Sequence, residues 1–288
     1  MKKLAILLMA ASLLLGATAC GAKEQQGTTG NTPASSNTQT QGAGDTQSAS
    51  LPSAEELFDK MAKTGAELKS FAMETQMKQN IVVSQGGEQQ EQNIELSMKS
   101  DMVREPVQMF QEMQIKTDQG DQNVSQYITT EGIYAQTNGT WVKLPDEMKD
   151  QMLASMESSM KPEAQFEQYK KIATDTKVAE EGNEYVLTAE LSGDSLMKMG
   201  KELLNQAGSN EQAAAMMEAM TIKSMTVVSA VNKETYQPTR TDVKAVLEME
   251  QDGAKVVMDM DMKNIFSKHN AVEEIKVPEE ALKAASSQ

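Results

Sequence analysis

The sequence predicts an α+β fold in which a curved antiparallel sheet forms an incomplete, half-open barrel packed on helices. Two observations carry that expectation. Between Phe71 and Ile265 the chain repeatedly alternates apolar and polar residues, in runs separated by Gly, Asn, Asp and Pro, the pattern of strands with one wet and one dry face. Between some of those runs lie stretches whose apolar residues recur every three or four positions, the stripe of a helix. A curved sheet needs one face covered, and the interposed helices are the segments available to cover it.

The first fifty residues stand apart from that plan. Lys2 and Lys3 precede an apolar run from Leu4 to Leu15, broken only by Ser12, and then the small residues Gly16, Ala17, Thr18 and Ala19. This is a signal peptide over residues 1–19, too short to stay as a membrane span of about 20 residues. Ala17-Thr18-Ala19 satisfies the rule for ordinary secretion, so plain release stays open. Cys20, the only cysteine, follows the triplet directly, and the segment resembles a bacterial lipobox, although Ala17 stands where leucine is usual. That resemblance implies cleavage before Cys20, diacylation (palmitate) of its thiol, and anchorage on the outer face of the cytoplasmic membrane. From Gly21 to Ser50 no large apolar residue occurs. Such a segment cannot offset its chain entropy and is expected to be a disordered linker over 20–50, about 30 Å in mean span. Residues 51–288 are then read as a single domain.

Charge narrows the partners. The chain carries a formal net charge of −15, and loss of Lys2 and Lys3 would take it to −17. No Lys/Arg cluster is present to neutralise phosphates, so nucleic acid is not an expected partner. Attraction to anionic lipid surfaces is equally unsupported, which makes a covalent anchor the expected route to the membrane.

Within the domain, Ser53 and Glu56 form a capping box for a helix over 53–68, striped by Leu57, Met61, Ala62 and Leu68. Strands follow. Phe71, Met73, Thr75 and Met77 share one face, and the alternation returns in Ile94, Leu96, Met98 and Met102, then in Val107, Met109, Met113 and Ile115, with turns at Gly86-Gly87 and at 118–121. Val124 to Thr130 leads to Ile133 to Thr137, which meets Trp141 to Leu144 across Asn138-Gly139, a strong hairpin signal. Met148, Met152, Met156 and Met160, four apart, stripe a helix after Pro145, and Pro162 opens a second helix through Phe166, Tyr169 and Ile172. A strand from Tyr185 to Leu191, helices over 196–204 and 210–220, and strands over 222–231, 239–250 and 254–265 complete the domain, with a short helix over 279–285 after Pro278.

This plan resembles the LolA/LppX-like lipoprotein superfamily, and within it an uncharacterised group of Gram-positive lipoproteins. The resemblance rests on Cys20, the helix ending near Leu68, the strand opening Phe71-Ala72-Met73, the hairpin from Ile133 to Pro145, and the closing meander before Pro278-Glu279-Glu280-Ala281-Leu282. It implies an incomplete barrel closed by helices around a greasy cavity, with a role in binding or carrying lipids or other apolar molecules.

Methionine is the feature that needs a reason: 23 residues, against 4% aromatics. Thioethers are flexible and polarizable, suited either to filling an irregular core or to lining a cavity for varied apolar ligands. Met73, Met77, Leu96, Met98, Met113, Met258 and Met260 are the candidate cavity residues on strands, and Met148, Met152 and Met156 on a helical lid. Met258-x-Met260-x-Met262 has soft ligands, but residues two apart on a strand stand about 6–7 Å apart, so no metal site is expected. With one histidine, His269, no G-x-S-x-G, no H-E-x-x-H and no phosphate loop, neither an enzyme nor a cofactor is expected. Two functions remain open: a binding module for an apolar ligand, and an interaction protein that meets an unknown envelope partner through its surface.

Overall fold

A computed structural model of the chain describes residues 51–159, 175–191, 193, 220–251 and 253–285. Helix α1 (Ala54–Glu67) starts on the expected capping box, Ser53 Oγ accepting from the Glu56 amide while Glu56 accepts from the Ser53 amide. Six strands follow as a meander: β1 (Ser70–Gln85), β2 (Glu88–Arg104), β3 (Val107–Thr117), β4 (Gly120–Thr129), β5 (Gly132–Thr137) and β6 (Thr140–Lys143). After α2 (Asp146–Ser159) come β7 (Thr176–Glu181), β8 (Glu184–Leu191), β9 (Met220–Asn232), β10 (Pro238–Gln251), β11 (Ala254–Ser267) and α3 (Glu279–Ala285). The helices expected around Phe166, over 196–204 and over 210–220 lie outside the described residues, except Met220, which opens β9 instead of closing a helix because it pairs with Met249.

Turn chemistry explains the breaks. At the β5–β6 hairpin Asn138 and Gly139 both take positive φ, 50° and 84°, the conformation that matches the twist of the flanking strands. Gly132 is set by a close approach. A Cβ there would lie 2.9 Å from Tyr134 Cε2, because the tyrosine ring folds back over its i−2 neighbour on the same face. Strand β7 is an element that the apolar pattern does not predict: Thr176-Lys177-Val178-Ala179-Glu180-Glu181 offers only one large apolar residue, and the strand is recognisable through its antiparallel pairing with β8.

The eleven strands form one antiparallel sheet in the order β6-β5-β4-β3-β2-β1-β11-β10-β9-β8-β7. Two meanders are therefore welded by a single long-range pair, β1 with β11, in register from Ala72 opposite Ser267 to Gln85 opposite Ala254. The sheet is curved and not closed. Its two free edges, β6 and β7, are consecutive strands in the chain, and α2 follows β6. This is the predicted half-open barrel.

Helix α1 defines the inner face. Leu57 and Phe58, 0% and 3% exposed, pack with Ala54 on Leu187 and Val231; burial of each large side chain contributes about 1.5–3 kcal/mol. The same end of the strands, farther along the sheet, is tied by the segment after β11. Asn270 donates its amide to Ser70 O at 2.7 Å, Val272 its amide to Ser70 Oγ, and Ile275 its amide to the buried Gln108 Oε1 at 3.1 Å. The strap crosses the ends of β1, β2 and β3 and delivers α3 to β6 and β5. Arg104 closes the corner by donating to Leu68 O at 2.9 Å and to Gly65 O. Because α1 begins the domain and buries its apolar residues one turn after the cap, Ser53→Ala is expected to cost about 1 kcal/mol, read as a lowered denaturant midpoint at unchanged m-value.

Candidate functional site: the methionine-lined inner face

Alternation decides which residues join Leu187 and Val231 on the inner face, and register carries that face across the sheet. Met225 pairs with Leu191 and Ala245, and Ala245 with Met260. Met260 sits opposite Gln79, Met258 opposite Ile81, and Met262 opposite Met77. Met77 in turn faces Leu96, and Met98 lies between Thr75 and Met113. All seven strand residues named as cavity candidates, Met73, Met77, Leu96, Met98, Met113, Met258 and Met260, thus share one face with α1. Six adjacent strands, β3 to β9 in sheet order, each place at least one methionine there.

Burial separates these methionines from the rest of the interior. The fully buried large side chains among the described residues are Leu57, Ile128, Ile133 and Val231. Met260 is buried at 8%, but Met73, Met77, Met98, Met113 and Met258 are only half-buried. On α2, which touches β3, β4 and β5, Met152 and Met156 are half-buried while Met148, in the first turn, is 46% exposed. Met160 and Cys20 lie outside the described residues.

Polar residues on this face escape the apolar pattern. Gln79 is 4% exposed and donates to Met258 Sδ. Thr75 Oγ1 donates to Asn264 Oδ1 at 2.7 Å, and Gln111 Nε2 to Gln126 Oε1 at 2.8 Å. A glutamine in a strand reads as a solvent-facing residue when taken alone; only its parity with the neighbouring methionines marks it as inward.

The outer face has the opposite chemistry. Lys78 pairs with Glu95 at 3.3 Å and Lys244 with Asp261 at 3.5 Å. Glu248 takes Lys255 at 2.9 Å and Lys223 at 3.5 Å, and the Lys255 hydrogen bond holds its carboxyl below the ordinary range. Exposed pairs of this kind contribute about 0–1 kcal/mol each. Phe110, Tyr127 and Trp141 line one end of this face, with ring centroids 4.5 and 5.8 Å apart; burial, and then the Glu112 charge, push the Tyr127 hydroxyl up. The shallow groove of about 520 Å³ walled by Lys78, Asn80, Glu95, Lys244 and Asp261 also lies here. Lys78 with Glu95 and Lys244 with Asp261 are already paired with one another there.

Comparison with known proteins finds one family. The family of unknown function DUF6612 matches residues 53–286. No curated protein matches. Among solved structures, LprF from Mycobacterium bovis is similar at 10% identity and a TM-score of 0.42, covering 78% of this chain and 96% of that one. A LolA superfamily protein from Nitrosomonas europaea is similar at 9% identity and a TM-score of 0.18, covering 80% and 96%. A DUF1329 family protein from Desulfovibrio piger follows at 13% identity and a TM-score of 0.20, covering 72% and 89%. At such scores the likeness is one of outline, and the chemistry is read from this chain's own residues.

Proposed function

The chain belongs to DUF6612, a family of unknown function, and we propose that it is a membrane-anchored extracytoplasmic lipoprotein whose half-barrel takes up a lipid or other apolar ligand against its inner face. One contrast supports this reading. Rigid, branched Leu, Ile and Val hold the fully buried positions, whereas most methionines across β3 to β9 are left half-buried. A core that only needed filling would place its most adaptable side chains where packing is tightest. Flexible thioethers on a partly accessible curved face instead suit a surface that adapts to ligands of varied shape.

The N-terminal residues supply the location in this proposal. Diacylated Cys20 provides the two chains that stable anchoring requires, and the stretch from Gly21 to Ser50 spaces the domain from the bilayer. Full-length protein carrying Cys20→Ala, recovered without detergent, is expected to show lipid adducts by native mass spectrometry and to take up an uncharged solvatochromic dye. A homogeneous apo mass together with no dye uptake would remove the apolar-ligand reading and favour a protein partner.

A further inference from the structure

On the outer face, away from the methionines, we infer that the chain holds an extended, uncharged glycan in a polar groove across β1 to β4, with Phe110, Tyr127 and Trp141 receiving one end of it. The site lies apart from the inner face and stands whether or not that face takes up a ligand.

The groove has a volume of about 410 Å³, within the range of about 300–1,000 Å³ common to small-molecule sites. Two outward rows wall it. One runs through Gln76, Ser97, Gln114 and Asn123, each opposite the next. The other runs through Glu74, Lys99, Glu112 and Ser125 on the same strands, and its register continues through Gln136 to Trp141. Between the rows lies the backbone of Thr75, Met98, Met113 and Val124, whose side chains face inward. With strands about 4.8 Å apart the groove is about 14 Å long, and about 24 Å separate β1 from Trp141.

Its hydrogen-bonding capacity is unspent. Among the described residues, Gln76, Ser97, Gln114 and Asn123 make no side-chain hydrogen bond or ion pair. The neighbouring 520 Å³ groove differs, because Asn80 donates there to Glu91 and Asn93 while Lys78 pairs with Glu95 and Lys244 with Asp261. Three amides and a hydroxyl offer donors and acceptors side by side, and sugar hydroxyls need both. A peptide fits less well. The backbone of the floor is already committed to the ladders of β1 to β4, and strand addition requires a free sheet edge.

The aromatic residues border the same groove. Phe110 stands two residues from Glu112 on β3, and Tyr127 two residues from Ser125 on β4. The Glu112 charge reaches the Tyr127 hydroxyl, so the polar wall and the aromatic rings are contiguous. Phe110, Tyr127 and Trp141 are half-buried, which leaves each some accessible ring surface. The C–H faces of pyranose rings carry slight positive charge and are drawn to the negative faces of aromatic rings.

Charge selects an uncharged chain. The walls carry Glu74, Lys99 and Glu112, and the next outward row carries Lys78, Glu95, Lys116 and Asp121, two of each sign. Lys263 stands beyond β1, and Asp101 beyond the other wall is paired with Lys268 at 3.3 Å. No excess of cations is present to hold a polyanion, whereas neutral hydroxyls exchange hydrogen bonds with water for hydrogen bonds with amides, near balance.

Trp141 is the only tryptophan, so its emission reads this face directly. Full-length Cys20→Ala protein is titrated with cellohexaose and with N-acetylated chitohexaose, both extended and uncharged, and with maltohexaose, which coils; calorimetry is the second readout. At least one extended hexasaccharide is expected to shift the emission saturably, at a concentration at least about tenfold below maltohexaose, a difference of about 1.4 kcal/mol. Gln114→Ala/Asn123→Ala is expected to weaken that binding at least about tenfold at unchanged Tm, since both side chains lie outside the core. No saturable response to either extended chain by both readouts overturns the inference. So does binding that the double variant leaves intact, or equal binding of O-sulfated cellohexaose. None of these outcomes touches ligand uptake at the inner face, which the uncharged dye reads separately.

Discussion

Cys20→Ala is expected to move the protein from the membrane fraction into the culture medium, in an all-or-none manner, as read by immunoblot of fractionated cells. The physical reason is that little else attracts the chain to a bilayer. Its net charge of −15 opposes contact with anionic lipid, and among the described residues no helix is long and apolar enough to span a membrane. Each buried methylene of an acyl chain contributes about 0.8 kcal/mol, and one chain alone binds marginally, so loss of the thiol removes the whole of the proposed attachment. If the unsubstituted protein is already found in the medium, the plain secretion that Ala17-Thr18-Ala19 allows is correct and the anchor is not.

Leu57→Ala is expected to destabilise the domain by about 2–5 kcal/mol, seen as a fall in Tm of roughly 5–15 °C. Leu57 is 0% exposed and lies in one cluster with Leu187 and Val231, where branched neighbours have little freedom to collapse into the void. The same truncation at a half-buried inner-face position, Met98→Ala, is expected to cost far less stability, because its side chain is already in partial contact with open space. A large loss at Met98, equal to that at Leu57, would show the face to be a filled core and would count against ligand uptake. The pair of variants separates the packed end of the barrel from the proposed binding surface in one measurement.

Several elements are legible in the amino-acid order alone. The Ser53–Glu56 capping box, the Asn138-Gly139 turn and the alternation Met258, Met260, Met262 against Asp259, Asp261, Lys263 are local patterns, and a local pattern is complete within a few residues. For the same reason all seven strand residues named as cavity candidates fall on one face: parity along each strand is a property of that strand alone. Strand β7 escapes such a reading because its six residues hold too little apolar signal, and it is specified by its partner β8 more than by itself. The inward Asn264, Ser100, Gln111 and Gln126 escape it too, because amide and hydroxyl side chains read as solvent-facing until register sets their strands beside β1, whose Thr75 the alternation already puts on the face of Met73 and Met77.

Which residues of each strand point the same way, where the tight turns fall, and the signal-like segment ahead of Cys20 are all written in the order of the residues. The pairing of β1 with β11, the free edges at β6 and β7 and the sharing of the methionine face with α1 are settled in three dimensions alone. Backbone hydrogen bonds are chemically the same for any partner strand, so they carry no address. The choice between partners almost two hundred residues apart in the chain is made by the summed packing of a whole face against closure entropy, and no single residue holds that sum.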